Sequence, residues 1–87
     1  MEIDQEKFDE IVLALLFHNS WTEKIGQVNV FQAWKSLDWE ALSRLSEKGL
    51  ISNPKGKAKS LVITDEGYRL AQELFEKHFG KDENPQL

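Results

Sequence analysis

Eighty-seven residues with a net charge of −4, 40% hydrophobic and 30% charged, describe one small folded domain and exclude a disordered chain. The absence of cysteine excludes disulfide and thiolate chemistry. The longest apolar run, "IVLALLF" over Ile11–Phe17, falls well short of the roughly 20 residues that span a bilayer.

The opening "MEIDQEK" is acidic and lacks the basic flank of a secretory signal, so a cytoplasmic protein with no membrane association is expected. Asp4 is a good N-cap and Glu6 suits a first turn, which predicts a helix from Asp4 to about Asn19. Phe8, Ile11, Val12, Leu15 and Leu16 share one face at helical spacing and are expected to form its core side. Leu13 and Phe17 are four apart and fall on the other side, among Glu6, Asp9 and Glu10. A surface helix needs only one apolar stripe, so this second stripe wants a cover, from the C-terminal helix or from another subunit. Leu13 and Phe17 are therefore candidate dimer or partner contacts.

Residues 20–28, "SWTEKIGQV", read as a loop, and Trp21 within it is a third candidate contact. Asn29 can cap a short second helix, "VFQAWKSL", and Ser36 or Asp38 restarts a third helix through Lys48. Trp39 is expected to pack inside, and Trp34 either covers the second helix or lies at an interface. Gly49 supplies the left-handed residue that commonly ends a helix. Leu50–Asn53 and Ser60–Thr64 read as two antiparallel strands around "PKGKAK", whose Pro54 and Gly56 mark a turn. Thr64 caps a last helix with Asp65 and Glu66 in its first turn. Leu70 and Leu74, with Ala71, Phe75 and Phe79 beside them, give that helix its apolar rows, and Gly80 ends it. Residues 81–87 are expected to form a flexible polar tail behind a single domain over 1–80.

The expected fold is mainly α with a small β-hairpin, in the order helix, helix, helix, hairpin, helix. "LSRLSEKGLI" followed by "LVITDEG", carrying Leu42, Leu45, Gly49, Leu50, Ile51, Thr64 and Gly67, resembles the winged helix-turn-helix of MarR- and PadR-type bacterial regulators. The whole chain also resembles a small bacterial family with no assigned function. The regulator resemblance implies a third helix, Asp38 to Lys48, that enters a DNA groove. It also implies a wing over Ser52–Ser60 and terminal helices, Phe8–Phe17 and Tyr68–Phe79, that build a dimer.

Charge argues against the first of these. Glu40, Ser43, Arg44 and Glu47 share the outward arc of the third helix and sum to −1, whereas affinity for a duplex comes largely from cations placed on phosphates. The counterweight is residues 44–59, where Arg44, Lys48, Lys55, Lys57 and Lys59 stand against Glu47, a local sum of +4. Arg44, Lys55, Lys57 and Lys59 are the candidate nucleic-acid contacts. Three lysines pointing one way along a strand would give a salt slope of about −3, but lysines also keep an exposed hairpin edge from pairing with other chains.

His18 and His78 lack partners at metal-ligand spacing, and no nucleophile elbow, P-loop or dinucleotide-binding glycine pattern is present. The acid pairs Asp9–Glu10 and Asp65–Glu66 read as solvated or dipole-complementing groups. Neither cofactor, metal nor small-molecule ligand is predicted. The expectation is a non-enzymatic binding module, a homodimer that makes protein–protein contacts, with a DNA-binding regulator as the alternative.

Overall fold

The computed structural model describes residues 1–81. Helix α1 spans Gln5–His18, strands β1 and β2 span Trp21–Ile25 and Val28–Trp34, helix α2 spans Trp39–Glu47, strand β3 spans Ser60–Ile63 and helix α3 spans Asp65–Phe79. The result is a mixed α/β fold of three helices and one three-stranded antiparallel sheet, ordered β1-β2-β3.

Helix ends follow local chemistry. The Asp4 carboxylate accepts from the Lys7 amide at 3.1 Å, the Asp38 carboxylate from Ala41 at 3.0 Å and the Thr64 hydroxyl from Gly67 at 3.0 Å. Gly49 takes φ 76° just beyond α2, as a left-handed helix stop requires. Gly80 caps α3 in extended backbone, at φ −66°.

The expected second helix does not form. Residues Val28–Trp34 of "VFQAWKSL" and its approach are strand β2, and Trp21–Ile25 of the expected loop are β1. Ile25 pairs with Val28 across a two-residue turn in which Gly26 takes φ 64° while Gln27 stays at negative φ. That is the form of hairpin turn which demands glycine first and matches strand twist. β2 gains a second partner in β3, with Phe31 opposite Ile63 and Ala33 opposite Leu61. A strand paired on both edges leaves no backbone free for a helix, so a helix-turn-helix pair lacks its first member. The order helix, helix, helix, hairpin, helix is thereby corrected.

The expected Leu50–Asn53 strand shrinks to one bridge, Ile51 to Ile63, backed by the Ser52 amide donating to the Val62 carbonyl and the Val62 amide donating to the Ser52 hydroxyl oxygen. Residues 52–59 turn and bend, so the alternation argument for Lys55, Lys57 and Lys59 does not apply to their geometry.

The core lies between the helices and one sheet face, where Phe31, Ala33, Leu61 and Ile63 meet Val12, Leu13, Ala14 and Leu16. Both stripes of α1 contribute to the core, Val12 and Leu16 from the first and Leu13 from the second. Leu13 is 1% exposed and Phe17 is half-buried, its ring 5.1 Å from Tyr68 and 5.6 Å from Phe75. Phe8, assigned to the core side, is 41% exposed, and Ile11 and Leu15 are half-buried. Helix α3 thus supplies the cover that Leu13 and Phe17 need, and the case for a partner on that stripe falls. Trp39 is also turned outward, 50% exposed. The tail reading for 82–87 falls outside the described residues. Among those described, no helix is long and apolar enough to cross a membrane.

Candidate functional site

Alternation along the strands sorts the sheet into two faces. The face away from the core carries Trp21, Glu23 and Ile25 from β1, Val28, Val30, Gln32 and Trp34 from β2, and Ser60 and Val62 from β3. Ile25, Val28 and Trp34 are all more than half exposed, and Val62 is open as well. Trp21 and Trp34, two positions off register on neighbouring strands, set their rings 4.8 Å apart at 44°. A polar chain crosses the same face. The Ser60 hydroxyl donates to the Gln32 side-chain carbonyl at 3.1 Å, and the Gln32 amide donates to the Glu23 carboxylate. The face is thus apolar with one carboxylate, and that carboxylate has a partner. The largest apolar patch on a small protein is often a functional one.

The lysine turn adjoins the Trp34 end of that sheet. The Lys35 amide donates to the Lys59 carbonyl at 3.0 Å, and the Lys35 ammonium donates to the carbonyls of Pro54 and Gly56 at 2.8 and 3.1 Å. Pro54 is buried beneath the turn. Lys55, Lys57 and Lys59 are all exposed, and among the described residues none pairs with a carboxylate. Lys35 and Pro54 therefore anchor a loop whose lysines face water.

Arg44 is held elsewhere. Its guanidinium grips Asp9 through two bonds, Nε to Oδ2 at 2.7 Å and Nη2 to Oδ1 at 2.9 Å. Asp9 is buried at 3% exposure, not solvated on an open face as its neighbours suggested. The hydrogen bond that Arg44 donates to Asp9 raises the Arg44 pKa above its ordinary value. Partial burial opposes this rise, and the negative charges of Asp9, Glu40 and Asp38 add to it. With Arg44 committed to Asp9, the outward arc of α2 retains Glu40 and Glu47 and no free cation. The signal for this pair was the presence of an acid within an apolar helix. Its partner lies 35 residues away, and no local pattern names it.

A cleft of about 240 Å³ opens between α1, α2 and α3, with Leu13, Leu45, Leu50 and Leu74 in its wall and Glu6, Glu10 and Lys48 at its rim. Glu10 is shared by His78 at 3.1 Å and Lys77 at 3.9 Å. Among the described residues no three acids, histidines or cysteines cluster as a metal site.

Of the predicted contacts, then, Leu13 lies in the core and Phe17 against α3. Trp21 lies on the open sheet face, Arg44 is bound to Asp9, and the three lysines stand free on their turn. The site missed in the sequence is the sheet face itself. Its available signal was "IGQV", a Gly-X turn between alternating residues.

Comparison with known proteins places the chain without assigning a role. The model of a domain of unknown function, DUF6429, matches residues 4–81. The uncharacterized protein y4hR of Sinorhizobium fredii (strain NBRC 101917 / NGR234) is 48% identical over 79 residues, covering 91% of this chain and 97% of that protein. No solved structure matches.

Proposed function

We propose that the chain, which belongs to the DUF6429 family of domains of unknown function, is a non-catalytic binding module that meets protein through the outer face of its sheet. The observation that carries this reading is the exposure of Ile25, Val28, Trp34 and Val62 side by side, with Trp21 against Trp34. Tryptophan is enriched among the residues that dominate protein interfaces, because it removes a large apolar area from water at small entropic cost. The polar groups of this face already bond one another, so docking would strand few of them. A site-specific photo-crosslinker at Val28 or Val62 should give protein adducts in cells, and one at Glu73, exposed on α3, should not. Adducts from the α3 position alone would refute the reading.

A second reading is favoured by the free lysines of residues 55–59. The stretch from α2 through Gly49, the lysine turn and α3 retains the order of a wing and its flanking helices. On this reading Lys55, Lys57 and Lys59 would touch phosphates of a duplex. Against it stand the two carboxylates of α2 and the loss of Arg44 to Asp9. A duplex titration at low and moderate salt decides the matter. Binding with a log–log slope of about −3 that vanishes when all three lysines become Glu would promote it. No binding at low salt would retire it.

A further inference from the structure

We infer that the occupant of the outer sheet face is a second copy of this chain, packed face to face about a two-fold axis. The inference rests on the binding-module reading and supplies its partner.

Charge favours a second copy over other proteins, and size and strand geometry fit a face-to-face pair. The first observation is charge. An isologous contact sets one patch against itself, so the patch must be its own complement. Here the whole chain carries −4, yet the outer face carries one carboxylate, and Gln32 donates to it. The acids of the N-terminal segment and α1, Glu2, Asp4, Glu6, Asp9 and Glu10, belong to the helical layer that packs on the opposite side of the sheet. Face-to-face packing joins the least charged surfaces and keeps the acidic layers apart. A basic partner would find a single carboxylate on this face, Glu23, already bonded by Gln32.

The second observation is size. Ile25 at 61%, Val28 at 63%, Trp34 at 55% and Val62 at 36% exposure leave roughly 300–450 Å² of apolar surface, if an aromatic side chain offers about 150–250 Å² and an aliphatic one less. With Trp21, Val30 and the polar chain as a rim, the patch approaches the lower end of the roughly 800 Å² per partner of a standard interface. An interface at the small end of the range is weak or transient, so the expected dimer is a reversible one.

The third observation disfavours the competing geometry. β1 is an edge strand with Glu23 at its centre. Edge-to-edge addition centred there would set Glu23 opposite its own copy, and like charges directly opposed disfavour strand pairing. Face-to-face packing, with sheets about 10 Å apart, needs no strand pairing along that edge, and each Glu23 keeps its bond from Gln32 within the face.

The test is sedimentation equilibrium of the intact chain from about 1 to 300 µM, compared with Trp34→Lys and with the pair Ile25→Lys and Val28→Lys. These side chains lie open on the sheet surface, so the variants should fold, and circular dichroism checks that they do. Expected are a wild-type dimer and a loss of affinity of at least about tenfold in each variant. In a Trp39→Phe background, the emission of Trp21 and Trp34 should shift to the blue as the protein is concentrated. A wild type that stays monomeric throughout overturns the second copy. Adducts to another protein at Val28 would then still support the module reading. A dimer that persists in both lysine variants forms through another surface and overturns the second copy as occupant of this face, while the absence of adducts at Val28 and Val62 would overturn the module reading itself.

Discussion

Leu13→Ala separates a core residue from a subunit contact. Leu13 is 1% exposed on α1 and borders the cleft whose wall includes Leu45, Leu50 and Leu74. Truncating a buried leucine loses the transfer energy of the removed atoms and leaves a cavity, at about 2.7–5.0 kcal/mol in total. The cleft beside Leu13 is already open, so less new cavity is created, and the expected loss is about 3 kcal/mol. A chain of this length has a stability of about 4–13 kcal/mol, so the change is a large share of the whole. Urea unfolding followed by circular dichroism should show the midpoint fall by about 2–3 M for a slope of about 1–1.5 kcal/mol/M. The difference from wild type should survive tenfold dilution, because the lost contacts lie within one chain. Leu13→Glu with Phe17→Glu should unfold the chain and not release a soluble monomer. A loss below about 1 kcal/mol, or one that changes on dilution, would place Leu13 outside the core and refute the assignment.

Gly67→Ala should cost about 1–3 kcal/mol in the same assay, because the added Cβ would land on the Leu50 carbonyl oxygen and push the first turn of α3 off the Gly49–Leu50 backbone. Arg44→Lys keeps the charge on Asp9 but loses the two-pronged bond, so the urea midpoint should fall. The raised Arg44 pKa contributes stability that is fully present below its unfolded value and is lost only as pH rises through the still more alkaline folded value. The gap between Arg44→Lys and wild type should therefore stay constant from about pH 6 to pH 9.

Helix boundaries were legible because their causes are local. Asp4, Asp38 and Thr64 each satisfy an amide three residues on, and Gly49 relieves a left-handed turn, so each signal sits within a few residues of its effect. The segment Val28–Trp34 was not legible in the same way. Its short apolar run suits a helix or a strand, and what decides is pairing with β1 on one side and β3, some 30 residues on, at the other.

What the sequence by itself determined here is where helices start and stop, where the lysines cluster, and which residues are apolar enough to need cover. The tertiary structure alone decided what provides that cover. It laid α3 over Leu13 and Phe17, sank Asp9 beside an arginine 35 residues away, and left the outer sheet face with Trp21 and Trp34 open. The physical reason is range. Caps and turns act within a turn of backbone, whereas burial depends on which distant surfaces the whole chain brings together.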